Sequence, residues 1–421
     1  MALTSFQFRG IVEALTKVIR FDYPTDAVMS RYFRENRKLG AKDRFIIGET
    51  VYATLRRYNY LEAVIAPQEA TPKYLAIASL LKVRGHSFRD IADYLSESDK
   101  KFAEDVKMRK PELNLAAKAE LPQWVIDKLG WADEDVLALG QSLQQNAPLD
   151  LRVNTFKSKP QKVLDALAQE GIEASLTPYS PIGIRLKEKF QLQKHPLYTG
   201  GEVEIQDEGS QLLGLMLDAR RGEMVVDFCA GAGGKTLLLA SAMANKGRLY
   251  AFDVAEKRLS NLSPRLKRSG ISNIYTILIN NEVDSRVKRL YGKVDRVLVD
   301  APCSGMGTLR RNPDLKFRQS PKSVEELNQK QMAILVSAAK LLKPGGRIVY
   351  ATCSLLEEEN EAIVAQFLAA NEDFSVLPAN EALPKKIAIE MGDYLKLYPH
   401  IHHTDGFFAA ALVKKAEEKK K

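Results

Sequence analysis

The stretch Met224-Val225-Val226-Asp227-Phe228-Cys229-Ala230-Gly231-Ala232-Gly233-Gly234-Lys235-Thr236 decides the fold. An apolar run of strand composition ends in an acid, turns at once into small residues, and passes into a helix-forming segment. Gly-Gly-Lys-Thr suggests a phosphate-binding loop, but that loop needs a glycine where Cys229 stands. The dinucleotide fingerprint fails as well, because Thr236 takes the place of its third glycine. What remains is a turn of small residues that lets a ligand approach the backbone at a helix N-terminus.

Working outward from this loop, strand-like segments recur at residues 248–253, 274–279, 295–301 and 347–354. Segments of helical composition, such as residues 257–270, separate them. The alternation predicts an α/β domain over residues 201–415, with a doubly wound, Rossmann-like parallel sheet. The second strand ends in Asp253, where an acid can accept hydrogen bonds from ribose hydroxyls. A nucleoside cofactor without a pyrophosphate fits both the loop and the acid, and points to S-adenosylmethionine (AdoMet). Upstream, residues 141–200 read as a small α+β unit with a strand at 149–153, a helix at 160–170 and two short strands. Residues 1–140 read as helical, with Phe8, Ile11, Val12, Leu15, Val18 and Ile19 at helical spacing. Residues 416–421 form a basic tail.

Composition limits the function classes. The 421 residues suggest two or three domains, and 45% hydrophobic with 27% charged residues is ordinary for a globular chain. No run of 18 apolar residues and no signal-like N-terminus occur, so neither a membrane partner nor secretion is expected. Three cysteines cannot build a disulfide framework, which points to the reducing cytoplasm. A net charge of +9 makes a polyanionic partner plausible. Residues 1–60 hold eleven Lys or Arg against six Asp or Glu. The densest run interleaves Arg31, Arg34, Arg37, Lys38, Lys42 and Arg44 with Tyr32 and Phe33, and reads as a solvated face or an RNA-phosphate surface.

The chemistry gathers at two further strand ends. The fourth strand runs into Asp300-Ala301-Pro302-Cys303-Ser304-Gly305, and the fifth ends in Thr352-Cys353-Ser354. Methyltransferases acting on exocyclic amines often carry two prolines and an aromatic at the first of these, but here Cys303 replaces the aromatic. In a doubly wound sheet the first, fourth and fifth strands are neighbours, so the Gly231 loop, Cys303 and Cys353 should open onto one crevice. Cys229 reads as a packing residue beside the loop. Two thiols suit methylation of an unreactive pyrimidine carbon: a thiolate adding to carbon-6 of cytosine makes carbon-5 nucleophilic. Asp300 is placed to stabilise the charge that develops near ring N3.

From about Gly200 onward the chain resembles the RsmB/Nop (Sun/NSUN) class of RNA cytosine-5 methyltransferases, most like bacterial 16S rRNA members. The stretches that carry this are DFCAGAGGKT, AFDV, DRVLVDAPCSGMGTLRRNPD, LLKPGGRIVYATCS, EEEN and TDGFF. The resemblance implies Cys353 as nucleophile, Cys303 in product release and Asp300 at the base. It places AdoMet against Cys229, Ala230, Gly231, Ala232, Gly233, Gly234, Lys235, Asp253, Asn281 and Asp300. The chain departs from the class where Gly231-Ala232 replaces an Ala-Pro and where Asn281 replaces an acid. The α+β unit is similar to the small RNA-binding subdomain of this class, and the helical N-terminus is reminiscent of its NusB-like region. Arg310, Arg311, Lys316 and Arg318 should then line the substrate entrance. The expectation is an AdoMet-dependent, monomeric enzyme acting on ribosomal RNA, with no DNA partner. No metal is expected, because no further ligand pattern completes His400, His402 and His403. An amine-directed methyltransferase and a catalytically idle RNA-binding assembly factor are the alternatives.

Overall fold

A computed structural model describes residues 3–188 and 190–416. Residues 417–421, most of the expected basic tail, lie outside the described set. The chain forms two compact units. One comprises residues up to Asn146 together with Thr308–Pro321, and the other Ala147–Gly307 with Lys322 onward. The boundary passes 140 because the helix Asp133–Gln144 runs through it and buries Val136, Leu139 and Leu143. The strap Thr308–Pro321 departs from the expected layout, which gave these residues to the catalytic domain.

The first unit is helical. Its opening helix, Ser5–Val18, is held by a capping box between Thr4 and Gln7 and buries Phe8, Ile11, Leu15 and Val18 on one stripe. These pack with Ile47, Val51 and Leu55 of Ala41–Arg56 and with Leu75 and Ile77 of Pro72–Lys82. The strap completes the unit. The Phe317 ring lies 4.4 Å from Phe21 and 4.9 Å from Tyr58. Lys316 Nζ is 2.8 Å from a Glu120 carboxylate oxygen, with both side chains at most 3% exposed. Glu120 also accepts the N–H groups of Asn59 and Tyr60, which open the helix Tyr58–Ile65.

The second unit holds two sheets. In the smaller, β1 (Leu149–Val153), β2 (Ala174–Leu176), β3 (Gly183–Leu186) and β4 (Val203–Ile205) pair antiparallel in the order β2-β3-β1-β4. Strand β4 lies past residue 200, so this unit closes later than its composition suggests. In the larger, β5 (Met224–Asp227), β6 (Arg248–Asp253), β7 (Ile274–Leu278), β8 (Val294–Asp300) and β9 (Leu342–Thr352) run parallel. Antiparallel β12 (Phe407–Lys414) flanks β9, β10 (Phe374–Leu377) forms the far edge, and β11 (Leu395–Leu397) also pairs β12. The order β10-β12-β9-β8-β5-β6-β7 reverses direction at β5, and a crevice opens there beyond the strands' carboxyl ends.

The central strands carry unbroken apolar runs in their middles, because both faces are covered there. Along β9, Ile348 and Tyr350 enter one core while Val349 and Ala351 enter the other. The helix Pro321–Ala339 ends before the Pro344-Gly345-Gly346 stop, which sits inside β9 as a bulge. Leu342 faces Val294 and Arg347 already faces Arg296, so Gly345 with φ +77 absorbs the extra chain. Among the described residues no helix is long and apolar enough to cross a membrane.

Candidate active site

The crevice is a cleft of about 460 Å³ lined from the ends of β5, β6, β8 and β9. The β5 loop makes its floor. Gly231 has φ +56 and nothing within 4 Å of where a Cβ would stand, so the turn faces open space. Gly233 has φ +82, and its Cβ would meet Leu262 at 2.1 Å, which only glycine avoids. Cys229, Ala230, Gly231, Ala232, Gly234 and Lys235 line the cleft, while Gly233 packs against Leu262.

Asp253 ends β6 with its carboxylate 4% exposed. It accepts the Gly231 N–H at 2.8 Å and the Ala255 N–H at 2.7 Å, so strand end and loop hold each other. Asp227 accepts the Thr236 hydroxyl on one oxygen, while the other is buried with no partner among the described residues. Burial pushes its carboxyl up to about 7 from 3.8, with Asp300 adding repulsion and Thr236 opposing. An acceptor without a donor, a carboxylate lining the cleft beside the loop and open backbone around Gly231 fit a nucleoside bearing an amine, as AdoMet does. Asp253→Ala is expected to weaken AdoMet binding by about 1–3 kcal/mol. Equal affinity by calorimetry would remove Asp253 from the site.

Asp227 also gives a pH dependence. Its carboxyl is raised in the fold, so the native state holds a proton that the unfolded chain has released. The stability it contributes is present below about pH 4 and lost as pH rises through about 7. Ligand-free Asp227→Asn should therefore gain stability relative to the parent between pH 5 and 8. A difference in melting temperature that stays constant over this range would contradict it.

At the other end of the cleft the two cysteines meet. The strand register sets Asp300 beside Ala351, and beyond it Cys303 Sγ lies 3.3 Å from Cys353 Sγ. The Cys353 N–H points at the Cys303 sulfur, also at 3.3 Å. The hydrogen bond to Cys353, then burial, raise the Cys303 thiol well above its ordinary value. Cys229 also lines the cleft, and burial pushes its thiol up. Lys235 Nζ sits 2.7 Å from an Asp300 oxygen. Burial works against its charge, but Asp300, Cys353 and Asp227 outweigh burial and keep it cationic.

Some expected residues lie elsewhere. Asn281 is exposed, and its side-chain oxygen accepts the Val283 N–H; Ile279 and Glu282 line the cleft at that place. Arg310 and Lys316 are 4% and 5% exposed within the helical unit, and Arg318 pairs with Asp314 at 3.4 Å. Lys316 is spent on Glu120, so the expected basic lining does not form from these residues. Arg311 is partly exposed on the same strap. His402 Nδ1 accepts the Tyr398 N–H, and among the described residues no cluster suits a metal. Among the cleft residues that the sequence does not single out are Arg258, 3.8 Å from Asp253, and Gln206, Arg265 and Lys330. Arg258 lies five residues after Asp253, in the first turn of Glu256–Ser269, and that spacing is the available signal.

Comparison with known proteins agrees with this geometry. The family model described as 16S rRNA methyltransferase RsmB/F matches residues 214–413, and a ferredoxin-like domain of RsmF/B-like methyltransferases matches residues 121–193. "Probable ribosomal RNA small subunit methyltransferase B" of Synechocystis sp. is 34% identical over 307 residues, covering 72% of this chain and 69% of that protein. The Bacillus subtilis protein of the same name is 28% identical over 446 aligned positions, covering 96% and 98%. The crystal structure of PH0851 superposes with a TM-score of 0.82 at 26% identity, covering 98% of this chain and 100% of that one. The glycine loop, the Asp300 strand end and both thiols lie inside the matched span, and the chain belongs to the RsmB/F family of 16S rRNA methyltransferases.

Proposed function

We propose that the protein methylates carbon-5 of a cytosine in 16S rRNA, using AdoMet and a transient bond between Cys353 and carbon-6. The observation that carries this reading is the pair of thiols 3.3 Å apart at the end of a cofactor-sized cleft. When bound, AdoMet supplies an electrophilic methyl group on a sulfonium. Asp253 would accept its ribose hydroxyls, the backbone from Cys229 to Lys235 would hold the nucleoside, and Asp227 would accept its amine. Cys353 attacks carbon-6 as a thiolate, in the same cleft as the Lys235 ammonium. Asp300 accepts from the exocyclic amine of the base, and the Lys235 ammonium that holds it offsets the negative charge that addition places on the ring. Cys303 is protonated while Cys353 attacks, so the two thiols are chemically distinct. After transfer the carbon-5 proton passes to water, the carbon–hydrogen electron pair restores the ring double bond, and Cys353 leaves with the carbon–sulfur pair as a thiolate beside Cys303.

Exposed Arg31, Arg34, Arg37, Lys38 and Lys42 in the helical unit form a face suited to RNA phosphates. On this reading the protein acts as a monomer in the cytoplasm, on RNA and not on DNA. Bisulfite sequencing of 16S rRNA with and without the protein tests the proposal. A cytosine protected only when the protein is present is the expected result, and identical conversion in both samples would end it.

A further inference from the structure

The backbone ladder between β8 and β9 stops at Asp300 and Ala351, where the last bond joins the Ala301 N–H to the Ala351 carbonyl. Cys303 and Cys353 lie beyond it, on loops that sheet pairing no longer holds. The Gly307 N–H joins the Cys353 carbonyl at 2.9 Å, the Cys353 N–H meets the Cys303 sulfur, and a further brace is buried beneath them. Ser304 follows Cys303, Ser354 follows Cys353, and both serines reach the carboxylate of Glu359. The Ser304 N–H donates to Glu359 Oε1 at 2.8 Å, and Gln331 Nε2 donates to the same oxygen at 3.0 Å. Gln331 Nε2 also reaches the Pro302 carbonyl, one residue before Cys303, at 3.0 Å. The Tyr350 hydroxyl donates to the Glu359 carbonyl at 2.6 Å, which fixes Glu359 to β9 itself.

Glu359 is 0% exposed, and the donors on its carboxylate are neutral. It does not line the cleft, so it cannot touch substrate or cofactor. A buried carboxylate is costly unless several donors converge on it, and these converge from the two loops that carry the thiols. We propose that Glu359 is the positioning residue of the thiol pair, its carboxylate shared by Ser304 and Ser354 so that both cysteine loops hold one spacing. Its charge also contributes, after Cys353 and burial, to keeping the Cys303 thiol protonated. The inference rests on the cysteine mechanism proposed above, but concerns the spacing that mechanism requires.

Glu359→Gln tests it, because the amide keeps the size but removes the charge and one acceptor, so the Ser304 and Ser354 hydroxyls lose the oxygen they share and must turn to accept. The first readout needs no RNA. Diamide takes the hydrogens of two thiols and is reduced to the hydrazine, leaving one S–S bond, and peptide mass spectrometry identifies the pair. Closing 3.3 Å to a bond of about 2.05 Å needs only a small movement when the loops are braced. Disulfide formation should slow by about tenfold in Glu359→Gln, the equivalent of one lost charge-assisted bond. The second readout is kinetic. Release depends on both thiols and attack on one, so the first turnover should suffer less than the steady state, leaving protein joined to RNA on a denaturing gel.

A merely structural role would lower the folded fraction without changing the ratio of first-turnover to steady-state rates. Folded Glu359→Gln with the parent's disulfide rate and the parent's ratio overturns the proposal. If Glu359→Gln does not fold, Ser354→Ala and Ser304→Ala each remove one strut and must show the same directions. If the disulfide rate falls while neither parent nor variant methylates RNA, the brace stands and the proposed reaction falls.

Discussion

Cys353→Ala is expected to transfer no methyl group to RNA, and Cys303→Ala is expected to stay joined to RNA that it has already methylated. The two thiols are 3.3 Å apart, yet their surroundings differ. Cys353 lies in the field of cationic Lys235, whereas Cys303 is held protonated by its bond to Cys353 and by burial. Without the Cys353 sulfur no adduct forms, so carbon-5 stays a poor nucleophile and the loss is complete. Without the Cys303 sulfur, attack and transfer proceed but elimination stalls. On a denaturing gel, Cys303→Ala alone should show a slower, nuclease-sensitive band that requires RNA. The double variant should show none, because trapping needs Cys353. A band from Cys353→Ala instead would reverse the assignment, and full activity in both would exclude covalent catalysis here.

The second large effect is on stability. Lys316→Ala is expected to destabilise the helical unit by about 3–5 kcal/mol, the range for breaking a buried ion pair by removing one partner. Glu120 would stay buried at 2% exposure with its cation gone and only N–H groups around it. Burial already pulls the Lys316 ammonium down, and Glu120 opposes that pull, so neither group is comfortable alone. Replacing both, as Glu120→Gln with Lys316→Met, should recover much of the loss. The two tryptophans of the chain, Trp124 and Trp131, both lie in this unit, so their fluorescence in urea reports on it specifically. A midpoint unchanged in Lys316→Ala would show the pair to be incidental.

The central sheet was legible because parallel strands covered on both faces leave unbroken apolar runs, as Val225-Val226 and Val297-Leu298-Val299 do. The site was legible because its chemistry sits at strand ends, where topology alone brings Cys303 to Cys353. The strap was not legible. Arg310, Lys316 and Arg318 look like a solvated basic loop in one dimension, and nothing local shows that Lys316 will meet Glu120, 196 residues away. The same limit hid Glu359: EEEN enters only as a string that carries the resemblance, and the fold alone brings Ser304 and Ser354 onto one of its three acids. Asn281 was placed by counting from Asp300, but the turn after β7 directs Glu282 into the cleft instead.

The strap also fixes an order of events at the ribosome. The helices up to Gln144 leave the exit tunnel first, with the Glu120 carboxylate already bound for their interior. The cation that satisfies it, and the Phe317 ring that stacks on Phe21, are not made until translation has passed the first four strands of the parallel sheet. A nascent chain halted before residue 308 therefore lacks both the cation that Glu120 meets and the ring that stacks on Phe21. Folding of the amino-terminal part is completed by a piece of the chain synthesised more than 150 residues later.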